Sequence, residues 1–291
     1  MKRQAGRRES GAGLIDVMVG ATVALFALLI ATALGVQSQS QPTELQRGLL
    51  YADLWVQTSA EYVACCLQTY QLAAEHLEHE MARLHAEQAR QAADLPSLPP
   101  AVIMDLDETV LDNATFQTYL YDSGQNYSDD VFIKFVSDNR KSIRLVPGAK
   151  DFIDHAEALG VTVSYITNRE EPLRQATIET LAQWGINVRG LDDPKGVRLL
   201  LAAHGESIKK PRRDLVRAKY HVLALFGDQL GDFSDEFAAN HDNTLAARRE
   251  AAYEYRALWG TRWFVFPNPV YGQWQSVLRG EPEQYLRRAG K

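Results

Sequence analysis

Four short apolar runs mark the C-terminal two-thirds of the chain, and more polar segments separate them. Ala101-Val-Ile-Met104, Val161-Thr-Val-Ser-Tyr-Ile166, His221-Val-Leu-Ala-Leu-Phe226 and Arg262-Trp-Phe-Val-Phe266 are near-continuous stretches of large or β-branched residues. Such runs, bounded by turn formers, read as strands buried on both faces. Between them the spacing predicts a helix from the Val146-Pro-Gly148 turn to Gly160, and a polar helix from about Glu171 to Trp184. The stretch from Asn113 to Leu145 is aromatic without a clear period and reads as an irregular insert. Strands alternating with helices predict the α/β class: a doubly wound parallel sheet, Rossmann-like, with the insert as a small cap.

Upstream the pattern is helical. From about Glu44 to Ala93, Tyr70, Ala74, Leu77, Met81 and Leu84 recur at helical spacing with His, Glu and Arg between them. Leu95-Pro-Ser-Leu-Pro-Pro100 closes this region, and Gln37-Ser-Gln-Ser-Gln-Pro42 precedes it as a polar tether. Residues 17–36 carry no charge, and Lys2, Arg3, Arg7 and Arg8 come before them. About 20 apolar residues suffice to span a hydrocarbon core, and basic residues on one flank keep that flank inside. Three readings stay open: a retained signal anchor, a cleaved export signal with Ala33-Leu-Gly35 at its end, and a prepilin-like leader after Gly11. All three place the remainder on the outer side of a bacterial cytoplasmic membrane, in the cell envelope. The organisation expected is therefore 1–36 anchor or signal, 37–98 tether and helical region, 99–275 core with an insert at about 113–145, and 276–291 tail.

Composition narrows the functions. With 291 residues and a net charge of −6, the chain has one basic cluster, at its extreme N-terminus, and so no footprint for nucleic acid. The two cysteines are adjacent, Cys65 and Cys66. Neighbouring Cα atoms lie about 3.8 Å apart, too close for an unstrained bridge, so they read as two buried thiols on a helix. His76 and His79-Glu80 read as a solvated helix face rather than as metal ligands. Oligomeric state has no signal in the sequence.

The chemistry gathers at the strand ends. Asp105 and Asp107 follow the first strand, Thr167 and Asn168 the second, and Asp228 with Asp232 the third, while Lys209 and Lys210 precede the helix leading into the third. In an open parallel sheet the carboxyl ends of the strands form one ligand-binding edge. Phosphoryl transfer needs a nucleophile, cations to neutralise the equatorial oxygens and a proton for the leaving group. A carboxylate nucleophile, a magnesium ion on neighbouring carboxylates, a lysine and a threonine hydroxyl meet those needs.

Asp105-Leu-Asp-Glu-Thr-Val-Leu-Asp-Asn113, Tyr165-Ile-Thr-Asn-Arg169, Gly227-Asp-Gln-Leu-Gly-Asp-Phe233 and Pro267-Asn-Pro-Val-Tyr-Gly-Gln-Trp274 resemble motifs of the haloacid dehalogenase superfamily, and within it the class C acid phosphatases, the bacterial surface 5′-nucleotidase lipoproteins. Leu54-Trp-Val-Gln-Thr-Ser-Ala-Glu-Tyr62 is similar to that family's N-terminal helical region. The resemblance implies a magnesium-dependent phosphomonoesterase acting on small monoesters, nucleoside monophosphates among them. It implies Asp105 as nucleophile and Asp107 as general acid, then base. Asp105, the main-chain carbonyl of Asp107, and Asp228 would hold the metal, with Asp232 in support. Thr167, Asn168 and Lys209 would bind phosphate. Lys209 is preferred to Lys210 because Ser207-Ile-Lys-Lys-Pro-Arg212 matches the family's Ser-x-Lys-x-x-Arg spacing there. Phe116, Tyr119 and Tyr271 are candidates for the substrate pocket. The lipid-attachment cysteine of that family is missing after the apolar run, which favours a protein anchor. Two alternatives remain: a phosphotransferase of the same superfamily, and a non-enzymatic envelope protein with a pilin-like leader.

Overall fold

The computed structural model describes residues 44–90, 98–237 and 244–289. Helices α1 (Glu44–Thr58) and α2 (Ala60–Arg90) come first, followed by β1 (Pro100–Met104). The insert comprises β2 (Leu111–Asp112), α3 (Ala114–Ser123), α4 (Asp129–Asn139) and β3 (Arg144–Leu145). The chain continues through α5 (Ala149–Ala158), β4 (Thr162–Glu170), α6 (Arg174–Gln183), β5 (Leu199–Ala202) and α7 (Lys210–Arg217). It ends with β6 (His221–Gly227), α8 (Leu245–Glu254), β7 (Trp263–Val265) and the single turn α9 (Gln273–Ser276). The apolar run at 17–36, and with it the membrane reading, lies outside the described residues. Among the described residues no helix is long and apolar enough to cross a membrane.

The five long strands form one parallel sheet in the order β5-β4-β1-β6-β7. From β1 the chain moves outward through β4 to β5, then returns to the other side of β1 for β6 and β7. The switch point of this α/β sheet therefore flanks β1. Side-chain alternation divides the core between the two faces. Val102 and Met104 of β1 and Phe226 of β6 join the larger cluster, with Tyr70 of α2 and Phe152 of α5. Ile103 and Leu225 point the other way and pack with Val216 of α7 and Phe233. A strand covered on both faces has no polar side, which is why β1 reads as a continuous apolar run.

The helical region preceding β1 packs into this core within one compact unit, residues 43–291. Helix α2 buries Tyr62, Cys66, Tyr70, Ala73, Leu77 and Met81, one stripe at spacings of three and four. Tyr70, Leu77 and Met81 lie in it as the periodicity predicts; Ala73 takes the place expected of Ala74, and Ala74 and Leu84 are half-buried. Tyr70 packs on Phe266 with ring centroids 4.6 Å apart, and its hydroxyl donates to the carbonyl of Thr109 at 2.6 Å. That bond ties α2 to the loop carrying the two acids.

Three sequence expectations are corrected. The stretch 113–145 is helical rather than irregular, and the antiparallel β2–β3 pair closes its base. Local signals were present: the Asp112 carboxylate accepts from Ala114 N–H at the start of α3, and Ser128 caps α4 ahead of Asp129 and Asp130. A fifth strand, β5, lies outside the four apolar runs, because Leu199-Leu-Leu-Ala202 contains no β-branched or aromatic residue to mark it as a strand. The thiols differ, Cys66 buried and Cys65 exposed, because adjacent helical residues point about 100° apart.

Candidate active site

The register delivers the chemistry. Met104 is level with Tyr165 on β4 and with Phe226 on β6, so Asp105, Thr167 and Asp228 emerge within about one residue of each other at one edge of the sheet. A main-chain bond from Asp105 N–H to the Phe226 carbonyl (3.0 Å) continues the ladder to the first acid. The chain then turns sharply. Glu108 adopts φ +56°, and it is the non-glycine residue in the left-handed region among the described residues. Such a conformation is costly for a side-chain-bearing residue and persists where the surroundings over-determine it. Here Glu108 N–H donates to the Leu111 carbonyl (2.7 Å), and its carboxylate accepts from the main chain (2.9 Å) and side-chain amide (3.2 Å) of Asn113. Burial raises the Glu108 pKa well above the ordinary carboxylate value.

Lys209, 5% exposed, sits between two carboxylates. Its ammonium bonds Oδ1 of Asp105 and lies 2.6 Å from Oδ1 of Asp232. Desolvation pulls its pKa down and the two carboxylates pull it up; the carboxylates win and hold it at about 12. Lys210, one residue on, is exposed and pairs with Asp214 on its own helix. Burial raises Asp105 well above the ordinary carboxylate value; Lys209 opposes that, and Asp232 and Asp228 add to it. Asp228 is pushed up to about 7, chiefly by burial and then by Asp232, against hydrogen bonds from Asn268 and Gln229. Those two amides donate to the same oxygen, Oδ2, at 2.8 and 2.7 Å.

Asp107 faces a different partner. Arg169, whose side chain is wholly buried, donates to it through Nη2 at 2.7 Å and through Nε at 3.0 and 3.2 Å. Asn113 adds a bond of 2.8 Å, and the Thr167 hydroxyl lies 3.4 Å away. Arg169 is itself held by Thr177, Asn113 and the face of Phe132, 5.6 Å from its guanidinium carbon. Helix α7 organises the neighbouring loops. Arg212 donates to the Thr167 carbonyl and to Oδ1 of Asn168, and Arg213 to the carbonyls of Gly231 and Asp232.

Asp105, Asp228 and Asp232 each offer an oxygen within 4.8 Å of the others, a set suited to a hard divalent cation. Four carboxylates, counting Asp107, face two cationic side chains, Lys209 and Arg169. A divalent ion would neutralise the excess, so the donor set fits one. Asp232 thus stands among the candidate ligands, whereas the Asp107 carboxylate is committed to Arg169.

These groups open into a cavity of about 660 Å³. Asp105, Asp107, Asn168, Lys209, Asp228, Asp232, Phe116 and Tyr271 line it. Thr167 is fully buried behind Asp107, and Tyr119 packs behind Phe116 and Phe135; neither is a lining residue. Tyr127 and Phe132 line the aromatic side instead. Sequence reasoning passed over Arg169 as a site residue, although it closes the Tyr165–Arg169 motif. It also passed over Gln229 and Asn268, whose only signal was their place inside motifs.

Acids and a lysine converging on the switch point of a parallel sheet define a Rossmann-like enzyme whose site is built from carboxylates. The chain matches the family model for the HAD superfamily, subfamily IIIB (acid phosphatase), over residues 31–274. It is similar to the class C acid phosphatase from Bacillus anthracis, with 30% identity and a TM-score of 0.66, over 81% of this chain and 89% of that one. It is also similar to the Bacillus anthracis class C acid phosphatase with tungstate bound, with 28% identity and a TM-score of 0.67, over 83% and 94%. The chain belongs to the acid phosphatases of subfamily IIIB of the HAD superfamily. It is a phosphomonoesterase, a hydrolase.

Proposed function

We propose that the protein is a magnesium-dependent phosphomonoesterase that works through an aspartyl-phosphate on Asp105. The observation that carries this reading is Lys209 set between Asp105 and Asp232, with Asp228 beside them. Among the described residues no hydrogen bond reaches Oδ2 of Asp105, while Oδ1 is held by Lys209. Oδ2 attacks phosphorus, the phosphorus–oxygen ester bond breaks, and Asp107 gives its proton to the departing alkoxide. Asp107, ionised by that transfer, then takes a proton from water, whose oxygen attacks phosphorus and releases phosphate from Asp105. Arg169 and Asn113 orient Asp107 through both steps, and Lys209 neutralises phosphoryl oxygens. Thr167 lies one layer back: its hydroxyl accepts from Arg169 N–H at 3.0 Å, which supports Arg169.

Asp105, Asp228 and Asp232, with the Asp107 carbonyl, would hold magnesium, which supplies charge neutralisation between an anionic nucleophile and an anionic ester. Tungstate, an oxyanion of phosphate's charge and shape, is bound by the second Bacillus anthracis structure, which supports an oxyanion site in this one. The cavity volume and aromatic wall suit an aromatic leaving group, so nucleoside monophosphates are the proposed substrates. The basic cluster and the apolar run at 17–36 support a catalytic unit held on the outer side of a cytoplasmic membrane. The deciding experiment is an acid quench with ³²P-labelled substrate. Label should remain on the wild type and be absent from Asp105→Asn, and chelation should abolish p-nitrophenyl phosphate turnover until magnesium is restored. Turnover that survives both treatments would remove the proposal.

A further inference from the structure

The cavity has a wall that the phosphoryl chemistry does not use. Leu49, Leu50 and Asp53 of α1 line it together with Phe116, Gln117 and Leu120 of α3. Asp53 is the anomaly. It is 5% exposed, and Oδ2 accepts from Gln57 Nε2 at 2.8 Å and from Thr118 Oγ1 at 3.2 Å. Oδ1 is buried and has no hydrogen-bond partner. Native interiors leave few polar atoms in that state, because an unpaired one forfeits its hydration with nothing in return. An apolar residue would fill the same place among leucines and a phenylalanine without that penalty. An acid at the wall of a substrate cavity with one oxygen unsatisfied makes sense when the ligand brings the missing donor.

The geometry points to Asp53 as a specificity residue whose free oxygen accepts a hydrogen bond from a hydroxyl or amino group on the alcohol portion of the phosphomonoester. This rests on the phosphomonoesterase reading and adds the substrate class: leaving groups carrying donors are favoured over apolar ones. The Asp53 side chain is one of the groups lining the cavity, so a leaving group seated against α1 lies beside it. The cavity, at about 660 Å³, has room for a leaving group well beyond the phosphate. The aromatic side chains suit any flat leaving group, so discrimination between donor-bearing and donor-free rings falls to the polar lining groups, and among the described ones Asp53 carries the buried oxygen without a partner.

Asp53→Asn is the informative change, since its carbonyl can keep the Gln57 and Thr118 bonds while an amide nitrogen replaces Oδ1. Asp53→Leu is the second variant, removing the acid altogether. The assay compares adenosine 5′-monophosphate with phenyl phosphate, which has an aromatic ring and no donor. The ratio of their kcat/KM values should fall about tenfold in both variants, the size of one charged hydrogen bond, and the fall should appear in KM. A ratio within twofold of wild type in both variants overturns the assignment. Wild-type protein that hydrolyses neither substrate would instead sink the phosphomonoesterase reading, so the two failures are distinct.

Discussion

Arg169→Gln tests how Asp107, the proposed general acid, is held. The substitution removes every guanidinium contact to Asp107, at 2.7, 3.0 and 3.2 Å, and leaves the Asn113 bond at 2.8 Å and the Thr167 hydroxyl at 3.4 Å. Breaking a buried ion pair from one side costs about 3–5 kcal/mol. The Asp107 side chain is 19% exposed and keeps two partners, so about 2 kcal/mol is the fitting figure. For a domain of this size that lowers the melting temperature by roughly 4–8 °C. The kinetic signature is separate. A general acid contributes about 10²–10⁴-fold, and only where the leaving group needs a proton. In kcat/KM, which reports the steps up to departure of the alcohol, glycerol 2-phosphate, an alkyl ester, should lose about 100-fold, whereas p-nitrophenyl phosphate, with its stable phenolate, should lose less than about tenfold. Arg169→Lys keeps the charge without the planar fork and should fall between. Steady-state rates on the two esters, beside a thermal melt, decide it. Equal losses on both esters would refute the argument and reduce Arg169 to a packing role.

Two further outcomes follow from the carboxylate cluster. Asp228 is raised to about 7 in the fold and titrates near 3.8 when unfolded. Between those values the folded chain without metal holds a proton that the unfolded chain has lost. Raising the pH through that window therefore removes stability, most of it by pH 7. On the proposed reading a magnesium ion bound at Asp228 displaces that proton, so magnesium chloride should raise the melting temperature more at pH 7 than at pH 5; a larger shift at pH 5 in a melt with and without the salt would contradict this. Gly227→Ala tests the close approach behind the cluster. A Cβ there would lie 2.2 Å from Oδ2 and 2.4 Å from Cβ of Asp232, so that side chain must move off Lys209. Magnesium affinity by titration calorimetry should weaken at least about tenfold, and unchanged affinity would show that Asp232 does not need its present place.

The sequence alone determined which residues could carry the chemistry and roughly where the sheet would run. Buried parallel strands have no polar face, so β1, β4, β6 and β7 stand out as apolar runs, and polar residues at their ends mark the edge used for binding. Asp105, Asp107 and Asp228 were legible for that reason, and Lys209 through the spacing of Ser207-Ile-Lys-Lys-Pro-Arg212. Tertiary structure decided which of these groups meet. The choice between Lys209 and Lys210 turns on which flank of the first turn of α7 faces the sheet, and one residue separates a buried lysine bridging two acids from an exposed one paired with Asp214. The roles of Arg169, which reaches Asp107 across 62 positions, and of α1, which brings Asp53 to the cavity, depend on packing between distant segments. Apolar periodicity records how each segment lies against a core; it carries no record of which other segment lies opposite, and that pairing decides the charges in a site.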